Sequence, residues 1–203
     1  MALKKLNLQM RKGQTESIPL RISESTLVYK PITGIEKSAP VSITATGHGA
    51  KDGWLGAVMN VVGMREINAE NNPPAEGEFR PMTVVDANTV QFNSVNAAGF
   101  RAYTSGGQLV YRAPLDLSAY STGRMTIKDQ VGGTAIISLT TANGRIEIDP
   151  STHTLWIKLS DEDSSAITAE RGVFDIELET SSGEVKAICS ADSEVQFLPE
   201  VTT

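Results

Sequence analysis

Two near copies of one tetrapeptide divide the chain. LVYK occupies 27–30 and LVYR occupies 109–112, and a proline closely follows each, at Pro31 and Pro114. A tandem repeat would extend the match on both sides of each copy, but here the neighbouring residues diverge at once. The alternative is a pair of splice edges, where one domain interrupts another. Removing 31–112 joins ISESTLVYK to APLDLSAY, which reads as one continuous polar linker. Entry and exit points that lie side by side are what an inserted domain requires. The competing account is chance similarity between two apolar strands.

The text between the copies differs in texture from the text outside. Before the first copy, LNLQM alternates Leu6, Leu8 and Met10, and SIPLRI alternates Ile18, Leu20 and Ile22 across an Arg11–Gln14 turn. Period-two patterning either side of a glycine turn predicts a hairpin or a pair of strands crossing between sheets. From Pro31, VSITAT alternates, and GHGAKDG must be a loop with positive-φ positions. Trp54–Val62 is apolar enough for a buried strand. MREINAENNPPAEGE is a polar, proline-broken connection. FRPMTVVDANTVQFN predicts two strands about an Asp86–Asn88 turn. Gly106–Gly107 is expected to bend the chain into the second copy.

After Pro114 come seven strand-like segments about ten residues apart: GRMTIKD, TAIISLT, GRIEID, TLWIKLS, GVFDIELET, EVKAICS and EVQFL. DEDSSAITAER, at 161–171, is the one candidate helix. Seventeen glycines and nine prolines suit strands joined by turns. Many short strands at this spacing predict an all-β sandwich or barrel.

Two resemblances sharpen this picture. The elements TATGHG (Thr44–Gly49), VGMREIN (Val62–Asn68), DANTVQF (Asp86–Phe92) and AYTSGG (Ala102–Gly107) fall in order within 31–109. Together they resemble a small β domain recurrent in bacteriophage tail proteins, a module similar to the first catalytic-cysteine half-domain of ubiquitin-activating enzymes. GWLGAVMNV departs from that pattern, where such modules have a more polar strand. Ubiquitin chemistry does not follow, because the one cysteine, Cys189, lies outside this section. The flanking text, LNLQMRKGQTESIPLRI and then LDLSAYSTGRMTIKDQVGGTAIISLTT with the strands after it, resembles the N-terminal domain of phage baseplate upper proteins. The resemblances imply an all-β chain with a discontinuous β-sandwich (1–30 and 113–203) and a small β-barrel-like domain inserted at 31–112.

The residues that could carry chemistry are few. His48 and His153 are far apart in sequence, each in a turn or glycine loop, and offer no zinc-ligand spacing. Cys189 sits in register with Val185 and Ala187, as a small buried thiol would. Asp161–Asp163 lack the alternating ligands and glycine of a calcium loop and read as the acidic start of a helix. Glu147 and Asp149 alternate on one strand, as a polar outer face does. No catalytic, cofactor-binding or metal-binding residues are expected. In TLWIKLS, Leu155, Ile157 and Leu159 form the core face, so Trp156 points away from it. It is a candidate contact for a neighbouring subunit, or a rim residue under the 161–171 helix. Trp54 is either core of the inserted section or a second interface residue.

The formal net charge of −6 argues against bulk nucleic-acid binding. Lys4, Lys5, Arg11 and Lys12 are a small basic exception, read as solvated strand ends. The start, MALKKLNLQM, lacks the apolar core of a secretory signal, and no apolar run approaches the ~18 residues of a membrane span. The chain is therefore expected to be made in a cytosol and kept there or released by lysis. The resemblances imply a non-enzymatic structural component of a tailed-phage virion, assembled in the host cytoplasm. It would attach parts at the tail, baseplate or neck, partnered by other phage structural proteins and present in multiple copies in a ring or array. A capsid decoration protein and a carbohydrate- or cell-surface-binding module are the alternative readings.

Overall fold

The computed structural model describes residues 5–200, and the alternation seen in the sequence becomes short strands throughout. The strands before Ser23 are β1 (Asn7–Arg11) and β2 (Glu16–Arg21). The middle of the chain forms β3 (Ser23–Pro31), β4 (Gly34–Glu36), β5 (Val41–Thr44), β6 (Leu55–Val62), β7 (Arg80–Pro81), β8 (Thr83–Val84), β9 (Thr89–Phe92) and β10 (Ser105–Pro114). The remainder forms β11 (Tyr120–Lys128), β12 (Ala135–Thr140), β13 (Ile146–Asp149), β14 (Thr154–Leu159), α1 (Asp161–Ala166), β15 (Arg171–Thr180), β16 (Val185–Ala187) and β17 (Ser193–Leu198). The fold is all-β, and α1 is the one α-helix among the described residues. No described helix is long and apolar enough to cross a membrane.

Contacts divide the chain into two compact units. One joins the described residues before Ser23 to those from Leu115 onward, and the other is Ser23–Pro114. The first unit holds two sheets, ordered β1-β17-β15-β11-β12 (with β16 on β15) and β13-β14-β2. β1 and β2 therefore go to different sheets rather than forming a hairpin. β1 pairs in parallel with β17, so the two ends of the described chain are neighbours in one sheet. One core receives Met125, Ile127, Phe174, Ile176 and Phe197 from the larger sheet and Leu155, Ile157 and Leu159 from the smaller. These residues are at most 3% exposed. Each lies at every second position of its strand, which is how a pleated strand presents one face.

The second unit has sheets β3-β10-β6-β7 and β4-β5-β9-β8. Its core contains Val41, Ile43, Val58, Phe92, Leu109 and Tyr111. Gly47, Gly49 and Gly53 in the GHGAKDG loop all have positive φ.

The two tetrapeptide copies lie antiparallel on adjacent strands. Val28 is opposite Tyr111, and Tyr29 is opposite Val110. β10 is also the partner of β6, so both copies are integral strands of the second unit. The edges predicted at 30/31 and 112/113 therefore move outward to 22/23 and 114/115. The physical reason is sheet pairing, since β3 has β10 as its strand partner and cannot be separated from it. At the stem, Leu115 N donates to Ile22 O at 2.8 Å, which closes the first unit across the break.

Two local expectations also change. Gly106 and Gly107 do not precede the strand but lie inside β10, both at positive φ. The candidate helix at 161–171 stops at Ala166, because Ile167 turns extended and is buried in the first unit's core.

Candidate functional site

The residues singled out for chemistry are occupied in structural roles. His48 is 1% exposed. Its Nδ1 accepts from Ala50 N at 2.9 Å, and its Nε2 lies 2.9 Å from Asp86 O, so the proton is on Nε2. The Tyr111 hydroxyl donates to the His48 carbonyl, which ties the glycine loop to β10. Burial pushes the Tyr111 phenol up from its ordinary value. His153 occupies the β13–β14 turn at φ 53°, and its Nδ1 is buried without a partner.

Cys189 is buried in the first unit's core, and desolvation raises its thiol pKa. A thiol in that state is a poor nucleophile. Asp161–Asp163 form the first turn of α1, with the Ser160 hydroxyl accepting from Asp163 N at 3.1 Å. Arg145 grips Asp163 through two nitrogens, Nε at 2.7 Å from Oδ2 and a terminal nitrogen on Oδ1. Hydrogen bonding to Arg145 is the main cause that holds the Asp163 carboxyl below the usual range.

Glu147 forms an ion pair with Lys158 on the next strand. Asp149 caps its own turn, accepting from the hydroxyls and backbone N–H groups of Ser151 and Thr152, and these bonds lower its pKa to about 2. The lowered value of Asp149 is the opposite of what a general acid requires. Among the described residues, no group of three or more His, Cys, Asp or Glu side chains could hold a metal ion. Of the basic residues near the start, Lys5 pairs with Glu194 at 2.6 Å, and Lys12 donates to Thr168 O at 3.2 Å. Lys4 lies outside the described residues.

Of the two readings of Trp54, the structure has the core one. The residue is 6% exposed and belongs to the core of the second unit with Val58 and Met82. The β6 N-terminus follows it directly, and Met82 N donates to its carbonyl at 2.8 Å, so β7–β8 holds it inside.

Trp156 is different. It lies on β14, the middle strand of the three-stranded sheet, with Glu147 opposite on one side and Pro19 on the other. Its neighbours Leu155 and Ile157 are core residues, so the indole is on the opposite face and is half-buried there. Lys158 shares that face two residues along. The surface is thus an indole and a proline ring flanked by the Glu147–Lys158 ion pair. An aromatic anchor with a charged rim is the composition of protein-contact surfaces. Pro19 has no N–H to offer on this edge strand, which blunts strand-to-strand association there.

Two further features escaped the sequence reading. In the second unit, Tyr29 (42% exposed) and Leu55 (48%) are exposed apolar side chains on one sheet, although Trp54–Val62 reads as wholly buried. Cross-strand pairing puts Tyr29, Val110 and Ala57 in one line across β3, β10 and β6. The signal lay in the register between strands far apart in the sequence, which one strand's text does not contain. In the first unit, an open depression of about 730 Å³ lies over β1, β17 and β15. Asn7, Gln9, Asp129, Arg171, Glu194 and Gln196 supply its polar groups, and no aromatic lines it.

No protein-family model matches the chain, and no curated protein matches it.

Proposed function

We propose that this chain is a non-enzymatic structural component of a tailed-phage virion, linking other virion proteins at the tail, baseplate or neck. In this reading the first unit is a two-sheet sandwich that docks on its neighbours. The second is a barrel-like module carried between its strands. The observation that carries the reading is the paired stem: β3 beside β10 in the second unit, with the Leu115–Ile22 bond closing the first unit across the break. Such a stem lets one chain present two independently folded surfaces, which suits a connector. The phage resemblances of the two segments supply the virion context, since fold alone does not imply function.

A glycan-binding module would be expected to place an aromatic side chain where a sugar ring could stack. The open depression over β1, β17 and β15 offers amides and charges instead. The connector reading is therefore preferred.

Locating the chain in a cryo-electron map of purified particles, with copy number by quantitative mass spectrometry, tests the proposal. Several symmetry-related copies at the tail, baseplate or neck are expected. Copies spread over the capsid surface would assign decoration instead. A single copy, or none in the particle, overturns the connector reading. Within it, Trp156→Ala should melt close to the parent, because the indole is outside the core, yet incorporate poorly into particles. Normal incorporation would remove Trp156 from the interface.

A further inference from the structure

The turn between β12 and β13 holds the chain's one Asn-Gly pair, Asn143-Gly144. Gly144 has φ 73°, nothing lies within 4 Å of where a Cβ would stand, and Asn143 itself is exposed. The Asn143 side chain is nevertheless held. Its Oδ1 accepts from Thr140 N at 2.9 Å and from Arg145 N at 3.2 Å, and its Nδ2 donates to Ser138 O at 3.0 Å.

We propose that Asn143 is a built-in deamidation site of the folded protein, at which the Gly144 backbone nitrogen displaces the side-chain amide. The two N–H groups on Oδ1 sit where negative charge develops when Cγ is attacked, and fixed donors at such a position stabilise the tetrahedral state. The Gly144 N–H bond to Thr141 O is long, at 3.2 Å, and opens as its proton passes to solvent hydroxide. The Gly144 N–Cγ bond forms, the Cγ–Nδ2 bond breaks, and ammonia leaves with a proton from water. Water then opens the cyclic imide at either carbonyl, giving aspartate or isoaspartate. The net change is one water consumed and one ammonia released, with no oxidant or reductant.

The site also guards an edge. β12 ends its sheet, and the Asn143 amide occupies both the Ser138 carbonyl and the Thr140 N–H. It takes the place of a neighbouring strand at an edge that would otherwise be open to pairing. A carboxylate at 143 keeps the bond from Thr140 N but has no donor for Ser138 O.

The test is to hold the folded full-length chain at mildly alkaline pH beside a synthetic peptide covering 129–145. That segment is also the tryptic fragment in which Asn143 is the sole asparagine. Incubation continues until the peptide has converted, and both are mapped by mass spectrometry with isoaspartate detection. Aspartate and isoaspartate should accumulate at 143 several-fold faster than at any other asparagine of the folded chain, Asn93-Ser94 included. Asn143→Gln, which disfavours the cyclic imide, should abolish ammonia release from this turn. A folded chain still amidated at 143 when the peptide has converted, or one in which another asparagine reacts first, overturns the proposal.

Discussion

Asp163 and Arg145 show how one side chain decides between a site and a strut. An acidic triplet at a helix start could bind a cation, but Asp163 is committed to a two-point bond with Arg145 and Asp161 and Glu162 are left as solvated first-turn charges favoured by the helix dipole. Because the folded-state pKa of Asp163 is depressed, the pair contributes stability above the unfolded carboxylate value of about 4. That contribution is lost as pH falls through the lower folded value. Asp163→Asn should cost about 1 kcal/mol at neutral pH. The two proteins should then converge in melting temperature as the medium is acidified below the usual carboxylate range. A gap that stays constant with pH would mean that the variant acts through packing. The structural roles of His48, Cys189 and Asp149 follow the same logic. Their residue types were readable, as was the glycine loop that holds His48, whereas the partners that occupy them, such as Asp86 O and Ala50 N for His48, come from folding.

At the scale of the element, β10 carries the strongest constraint. Gly106 and Gly107 adopt φ 69° and 92° within the strand, opposite the stretch of β6 where Asn60 has φ 61°. A side chain at 107 would collide with Val61 and press on Met59 O at 3.2 Å, in a backbone conformation that L-residues avoid. Gly107→Ala should therefore destabilise by about 1–3 kcal/mol. Gly77→Ala, with open space around it, should stay within about 0.5 kcal/mol of the parent. Equal melting temperatures for the two variants would remove the argument. The strands themselves were legible because alternation is local: all seven segments after Pro114 became β11–β17. The Gly-Gly pair was legible as a bend, but not as lying inside a strand, because that depends on β6. Helix α1 was legible at its acidic first turn. Its early stop was not, since the core claims Ile167.

For the whole molecule, the stem yields a direct test. Replacing Ser23–Pro114 with an Asn-Gly turn should leave the first unit intact, because Ile22 and Leu115 are already hydrogen-bonded neighbours and its sheets keep every strand. Loop-closure entropy changes by only about 1–2 kcal/mol or less. Joining Lys30 to Ala113 instead strands Ser23–Lys30 without β10, leaving an unpaired strand prone to association. A cooperative β-type melt is expected for the first variant, and aggregation or a weaker melt for the second. Failure of the first to fold would mean that Ser23–Pro114 supplies core to the rest. By itself the sequence determined the all-β class, the turns and the presence of an interruption flanked by matching tetrapeptides, because these reside in period-two alternation and in residues with special backbone freedom. Only the tertiary structure decided where the interruption begins, that β1 pairs in parallel with β17, and that Trp54 belongs to the core. Those outcomes depend on which distant strands share a sheet, and pairing across long sequence separations is set by the competition among all faces for one buried interior.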